Sequence, residues 1–391
     1  MRSLNSIWPN PCWILTLGLM LFSLSLFAAQ VNAIDEFDIL RNDVRAKLIG
    51  EVLLEAQDGG LMVRTTDGNI WMLQPDEIKA RKTTGAKFKG MTPDAAAKQL
   101  TPKLPKSTTP YRMMKAKNYA IVYNTTPTFA NWVKSLYLRL NVGFKNYWKN
   151  QGVKLVESDV PLCVVIFKSK KEFDNYAIAT LGSVQGSALA YYNIKSNQVV
   201  MYDLTGTAQY SGRGRVTSSQ QINAIFQRPE AEPMIATIIH EAVHQIAFNS
   251  GLQKRFAPCP FWLNEGMAMY FEVPDLKSKR GWNAIGQVNN MRLRQLKTML
   301  RGDQSNFFDA IIRGDQKFRE PEQILNSYAE AWALTYFLMK RKQKELNAYL
   351  HELNSNQLLS EPSEEQRIEI FERHFGKVAT VKAECFQFLL N

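Results

Sequence analysis

The chain has 391 residues, which is enough for two or three compact units with their own cores. A hydrophobic content of 45% and an aromatic content of 11% are typical of a globular protein and exclude a disordered one. The net charge is +12, and the basic residues cluster only mildly, between Lys79 and Lys117. No nucleic-acid recognition motif with interleaved aromatic residues accompanies this cluster. We therefore expect a solvated basic surface and no nucleic-acid partner.

Residues 1–33 have the pattern of a secretory signal peptide. Arg2 precedes an apolar stretch over residues 13–29, and a small-residue cleavage pattern ends at Ala33. The apolar stretch is at the short edge of the about 17–25 residues that span a bilayer, so we favour cleavage after Ala33 over an uncleaved membrane anchor. We therefore expect a secreted, periplasmic or cell-envelope protein with no stable membrane span after cleavage.

Residues 34–80 are predicted to form a small β module. Three strand-like runs are separated there by QDGG and TTDGN, and Asp-Gly pairs supply the positive φ that tight hairpin turns need. Residues 81–112 are rich in Lys and Thr, contain four prolines, and are predicted to be a linker with one short helix in PDAAAKQL. We interpret the β module as an accessory or docking domain.

Residues 113–391 are predicted to form one larger domain in three parts. In residues 113–205 we expect strands at NYAIVYN and LCVVIF, helices at TFANWVKSLYLRLNVGFKNYWKN and KKEFDNYAIATLG, and a hairpin over 188–203. Residues 206–232 are polar and Gly-rich, which favours a loop, and residues 233–391 have helical periodicity almost throughout. The predicted fold class is therefore α+β, with a small N-terminal β module and a mixed α/β part packed on a mainly helical part.

Cysteines remaining after removal of the signal are Cys163, Cys259 and Cys385. An odd number permits at most one intramolecular disulfide, and Cys259 with Cys385 is a possible pair because Cys163 is in an apolar strand-like run. No CxxC or Cys/His spacing indicates a structural zinc site.

The motif HEAVH occurs inside the apolar run PMIATIIHEAVHQIAFN. Pro233 suits the first turn of a helix and Gly251 suits its end, so the run is predicted to be helical. On a helix, His240 and His244 project from the same face and can reach one zinc ion, while Glu241 is placed to act as a general base.

A third ligand is expected from the downstream run FWLNEGMAMYFE, which is predicted to be a second helix. Glu265 follows His244 by 21 residues and has apolar neighbours. Burying such a carboxylate costs on the order of several kcal/mol unless it is paired or binds a metal. We therefore predict a Zn²⁺ site made by His240, His244 and Glu265. Glu272 would either hydrogen-bond a ligand histidine or have a simple surface or salt-bridge role.

At these residues the sequence resembles the gluzincin metallopeptidases of the peptidase MA-like superfamily, and among them an uncharacterised bacterial branch of secreted proteins. HExxH followed by WLNEGMAMYFE is similar to their second-helix signature, in which the glutamate of Asn-Glu-Gly is the third zinc ligand. The resemblance implies a gluzincin or thermolysin-like fold. It also implies that His240, His244 and Glu265 bind zinc and that Glu241 is the general base.

The resemblance is specific over residues 233–272 and diffuse over the rest of 113–350. Gluzincins commonly stabilise the oxyanion with a downstream tyrosine or histidine, and Tyr328 is the candidate here, a packed interfacial tyrosine being the alternative. The Gly-x-Met-Glu-Asn run of aminopeptidases is absent, which favours an endopeptidase. Met269 stands where thermolysin-like members have an acidic residue, so the resemblance is not to that branch.

The leading functional hypothesis is a secreted zinc-dependent peptidase that acts on peptide or protein substrates. An edge strand of the hairpin at 188–203 would pair with extended substrate. One alternative is a non-catalytic cell-envelope scaffold or binding protein that keeps the fold, and another is zinc-dependent hydrolysis of a non-peptide substrate. Glu241 favours an enzyme, since a scaffold needs no base. The oligomeric state is left open.

Overall fold

The structure is a computed structural model that describes residues 33–182, 188–206, 218–278, 282–302 and 306–390. In these residues the protein is α+β, with a β-sheet region at the N-terminus and a helical C-terminal part. The predicted signal peptide lies outside the described residues except for Ala33, which begins the first strand. None of the helices described is both apolar and long enough to span a bilayer.

The N-terminal region is a sheet of antiparallel strands. Its members are β1 (Ala33–Arg41), β2 (Val44–Glu55), β3 (Leu61–Thr65), β4 (Ile70–Leu73) and β5 (Ile78–Lys87). Strands β1 to β4 form a meander, as predicted, and β5 returns to pair with β1, so the spatial order is β4-β3-β2-β1-β5. Gly59 and Gly68 have φ of +84° and +86° in the two predicted turns, a backbone region that favours glycine.

A second, mixed sheet forms the α/β part. Its members are β6 (Arg112–Ala116), β7 (Tyr119–Tyr123), β8 (Leu162–Phe167), β9 (Ala190–Asn193) and β10 (Gln198–Tyr202), in the order β6-β7-β8-β10-β9. The three central strands are parallel and buried, which explains their continuous apolar runs. The predicted hairpin is confirmed as β9 and β10, and β9 is an edge strand of this sheet.

Helices pack on the second sheet and make up the C-terminal part. Their bounds are α1 (Pro93–Leu100), α2 (Pro127–Asn150), α3 (Lys170–Leu181), α4 (Ser219–Phe226), α5 (Glu232–Asn249), α6 (Phe261–Phe271), α7 (Asn290–Met299), α8 (Asp309–Arg313), α9 (Ile324–Arg341), α10 (Gln343–Ser355), α11 (Glu364–Phe375) and α12 (Val378–Leu390). The predicted helices at α2 and α3 are confirmed, as is the helical character of the residues after Pro233.

The segment predicted to be a linker, residues 81–112, begins as part of the β module. β5 continues through it to Lys87, which pairs with Ala33, and only then does the predicted short helix α1 follow. The β5 side chains after Ile78 are exposed, so the apolar alternation that indicates a strand is missing and backbone pairing holds β5 in place. The boundary of the β module is therefore later than predicted.

The segment predicted to be a loop, residues 206–232, is partly helical. Its residues 207–217 are outside the described ranges, but α4 follows them, and Ser218 caps α4 by accepting a hydrogen bond from the Gln221 N–H. α4 buries Phe226 against Trp132 of α2, with ring centroids 4.9 Å apart. The loop prediction is wrong here because a short helix with few apolar residues leaves a weak periodic pattern.

The two helices that carry the predicted ligands pack against each other. α5 has Pro233 in its first turn and ends before Gly251, whose φ is +77°, as predicted. α5 lies against the β9–β10 hairpin, and α6 packs closely on α9. A Cβ on Gly266 of α6 would overlap the Thr335 hydroxyl and lie 2.7 Å from the Ala331 carbonyl oxygen, so the approach requires glycine.

The β module is fastened to the larger domain by polar and apolar contacts. The buried Arg255 donates through one guanidinium nitrogen to the Gly68 carbonyl (2.8 Å) and to the Ile194 carbonyl (3.2 Å) of the β9–β10 turn. The Ile70 N–H donates to the Lys195 carbonyl (2.7 Å). These contacts connect the module directly to the hairpin beside α5.

Cys163, Cys259 and Cys385 are free thiols. The possible Cys259–Cys385 disulfide is therefore not formed. Burial raises the pKa of the Cys163 thiol to about 12, as expected for an inert cysteine in a central strand.

Candidate metal centre

α5 and α6 bring the three predicted metal ligands together in a buried cluster. His240 Nε2 is 3.0 Å from Glu265 Oε2, and His244 Nε2 is 3.5 Å from Glu265 Oε1. The ligand atoms of the three residues all lie within 4.8 Å of one another. Glu265 itself is fully buried, at 0% exposure.

The spacing and chemistry of this cluster fit a divalent cation. Tetrahedral zinc ligands about 2.0–2.1 Å from the ion lie about 3.3 Å from each other. The observed separations of 3.0 and 3.5 Å, one to each Glu265 oxygen, are close to that value. Two imidazole nitrogens and a carboxylate form a donor set that zinc commonly takes, with a position left for water or substrate.

Glu272, at the C-terminus of α6, orients one of these ligands. It is 4% exposed, and its Oε2 lies 2.7 Å from His240 Nδ1. Its Oε1 accepts a 2.6 Å hydrogen bond from Asn289, the residue that caps α7. Burial raises the pKa of Glu272, but the hydrogen bond and charge of His240 outweigh it and the net shift is downward. The surface alternative for Glu272 is thus wrong, and its carboxylate can hold His240 with Nε2 turned to the cluster.

Electrostatics in the cluster favour a cation. Burial alone would lower the pKa of His240, but hydrogen bonds and charges of Glu265 and Glu272 outweigh burial and raise it to about 10. A proton on His240 thus balances neighbouring carboxylates, and a divalent ion would do the same while leaving His240 neutral. Burial lowers the pKa of His244 to about 4, which keeps it in the neutral form that binds metals.

Glu241 is held by the edge strand of the second sheet. Its Oε2 accepts a 2.8 Å hydrogen bond from the Tyr192 backbone N–H of β9. Burial raises the pKa of Glu241 to about 7, and the His240 charge opposes that rise. A carboxylate with a pKa near neutrality and one oxygen fixed by the backbone has the properties of a general base.

Tyr328 lies on α9 and packs beside α6. Its ring centroid is 6.4 Å from that of Phe261, which precedes Glu265 by four residues, and 5.8 Å from that of Phe318. The Arg292 guanidinium lies over the Tyr328 ring, with Cζ 5.1 Å from the centroid. Tyr328 is therefore adjacent to the ligand-bearing helix, in packing that also fits the interfacial alternative.

The structure adds residues that sequence reasoning did not identify. Tyr192 contributes a backbone group, so its residue type carries no signal. Asn289 could have been found as a helix cap, because Asn precedes the periodic run MRLRQL. Arg292 is indistinguishable by sequence from exposed arginines nearby, yet only 7% of it is exposed.

The fold and the cluster define an α+β protein with a buried His-His-Glu group that could hold a metal. Residues 234–359 match a family model described as "Protein of unknown function (DUF1570)". The matched range contains His240, Glu241, His244, Glu265 and Tyr328. A search of curated proteins finds none that matches the chain.

Proposed function

We propose that the protein is a secreted or cell-envelope zinc-dependent peptidase of the gluzincin type, acting as an endopeptidase. The observation that carries the proposal is the buried cluster of His240, His244 and Glu265, with Glu241 beside it and fixed by a backbone N–H. Metal ligands alone would suit a structural site, but hydrolysis requires a further, oriented carboxylate beside them.

The proposed chemistry divides between the cation and the protein. Zinc in the cluster would supply a Lewis acid that polarises a carbonyl and lowers the pKa of a water molecule toward about 7. Glu241 takes the proton from the attacking water through the oxygen that Tyr192 does not hold, and passes it to the leaving amine. Glu272 keeps His240 in the orientation that ligation needs.

Tyr328 is proposed to stabilise the developing oxyanion. A phenol hydroxyl donates a hydrogen bond to negative charge without itself becoming charged. Its ring contacts that of Phe261, which lies one helical turn before Glu265 on α6, and this supports the role. The positive charge of the Arg292 guanidinium over the Tyr328 ring would also stabilise negative charge that develops nearby.

Peptide is the proposed substrate because the cluster adjoins a sheet edge. Among the described strands, β9 pairs only with β10, and Tyr192 of β9 bonds Glu241. An extended chain added alongside β9 would bring its carbonyl groups close to Glu241. Such binding needs no free terminus, which agrees with endopeptidase activity.

Cleavage-site profiling of a denatured proteome by the zinc-loaded mature protein tests the proposal. The wild type should create new peptide termini, and Glu241→Gln should lose activity about 100-fold or more with zinc content unchanged. Glu345→Gln, an exposed residue of α10, serves as the matched control and should cleave like the wild type.

Three outcomes would contradict the proposal. Equal cleavage by Glu241→Gln and wild type, with zinc bound to both, removes the base assignment. Bound zinc without cleavage by either protein contradicts the peptidase and leaves the scaffold and the hydrolase of a non-peptide substrate. Absence of zinc from the wild type excludes both the zinc peptidase and a zinc hydrolase of a non-peptide substrate.

A further inference from the structure

Arg292 is a buried cation whose side-chain donors have no acceptor among the described residues. Its side chain makes no hydrogen bond or ion pair with the part of the chain that the structure describes, and its Nε is fully buried without an acceptor. Its backbone N–H donates to Asn289 Oδ1 (3.1 Å) as part of the α7 cap. A buried guanidinium is costly unless its charge and donors are matched, and a bound ligand can supply the missing acceptors.

The position of Arg292 is fixed by groups of the candidate metal centre. It lies on the first turn of α7, whose cap Asn289 bonds Glu272. Its charge acts on the Glu272 carboxylate without forming an ion pair, because that carboxylate is already bonded to His240 and Asn289. The Tyr328 ring packs against the guanidinium, with 5.1 Å between Cζ and the centroid.

We infer that Arg292 binds a carboxylate group of the substrate. The planar guanidinium presents paired donors that match a carboxylate through two parallel hydrogen bonds, and burial strengthens that pairing. Tyr328 packs on the guanidinium, and Nε on its donor edge has no acceptor among the described residues, so that edge can pair with a ligand carboxylate. This inference rests on the proposed peptidase function and narrows its substrates to peptides with a carboxylate near the bond that is cut.

Two sources can supply that carboxylate: the C-terminus of a short peptide and the side chain of an Asp or Glu residue. Three probes separate them. Each is a short apolar peptide with a hydroxamate that binds zinc: one has a free C-terminal acid, the second a C-terminal amide, and the third an amide with an internal Asp. Binding to the zinc-loaded wild type is measured by calorimetry, so the readout does not depend on turnover.

At least one carboxylate probe should bind the wild type about 10- to 100-fold more tightly than the plain amide, and the tighter of the two identifies the source. Arg292→Met should abolish the difference. Arg292→Lys keeps the charge but loses the paired donors, and should retain a few-fold difference at most. Arg294→Met, an exposed arginine of the same helix, should bind all three probes like the wild type.

Equal affinity of all three probes for the wild type overturns the inference and leaves the peptidase proposal standing. A carboxylate preference that survives in Arg292→Met overturns it as well. Zinc content and circular dichroism of each variant confirm that the site and fold are intact, and Arg292→Lys provides the comparison if Arg292→Met does not fold. Absence of zinc from the wild type contradicts the proposed function and this inference together.

Discussion

At the scale of single residues, Glu272 determines which nitrogen of His240 faces the cluster. A carboxylate 2.7 Å from Nδ1 favours the tautomer with a proton on Nδ1, and Nε2 is then free to bind a cation. The amide of Asn289 in turn holds the other oxygen of Glu272. The cluster is thus oriented by neighbours that do not themselves reach the metal position.

Glu272→Gln should lower zinc affinity about 10- to 100-fold, because a neutral amide holds the His240 N–H less firmly and makes the ring a weaker ligand. Competition with a chromophoric chelator measures the change. Glu345→Gln should bind zinc like the wild type. Unchanged affinity in Glu272→Gln would mean that the Glu272–His240 hydrogen bond has no part in metal binding.

At the scale of elements, the contact between α6 and α9 sets the position of Glu265. Gly266 is the next residue, and a Cβ there would lie 2.6 Å from Thr335 Cβ. Only a glycine lets the helices come this close, and the glycine of the Asn-Glu-Gly run therefore has a packing reason.

Gly266→Ala should lower the free energy of unfolding by about 1–3 kcal/mol and should also weaken zinc binding, because α6 must move away from α9. Chemical denaturation and chelator competition measure the two effects. Gly314→Ala is the control: its φ is −157° and a Cβ there meets nothing within 4 Å. Wild-type stability in Gly266→Ala would show that the two helices adjust without cost.

At the scale of the whole molecule, the N-terminal β module reaches the candidate site in two steps. Arg255 joins the Gly68 carbonyl of the module to the Ile194 carbonyl of the β9–β10 turn. In the same hairpin, Tyr192 holds Glu241. The module predicted to be an accessory domain is therefore attached to the strand that positions the proposed base.

Arg255→Ala should reduce stability by about 2–4 kcal/mol, since it removes charge-assisted hydrogen bonds and leaves two carbonyls without this donor. Urea unfolding measures the loss. Arg45→Ala, at an exposed position of β2, should change stability by less than about 0.5 kcal/mol. If the two variants unfold alike, Arg255 does not fasten the module.

Short sequence patterns predicted the elements whose formation depends mainly on neighbouring residues. The α5 and α6 helices follow from apolar periodicity and from Pro233 and Gly251 at the ends of α5, and Glu265 was identifiable as an acidic residue in an apolar run. β5 was misassigned because nearly all of its side chains are exposed, and the strand is held by pairing with β1 and by the Arg81–Asp35 ion pair.

Contacts between distant segments could not be predicted in this way. The Tyr192–Glu241 hydrogen bond joins residues 49 apart and uses a backbone group, and the burial of Arg292 follows from the packing of α7 on α9. Both depend on tertiary structure that no short window of sequence contains.

The central claim is that His240, His244 and Glu265 hold one zinc ion. Elemental analysis of the purified mature protein, after zinc loading and removal of free metal, measures it directly. The wild type and His351→Ala, a variant of an exposed α10 histidine, should each retain about one zinc per chain, and His244→Ala should retain almost none. A wild-type protein that retains no zinc, or a His244→Ala variant that retains as much as the wild type, would contradict the claim.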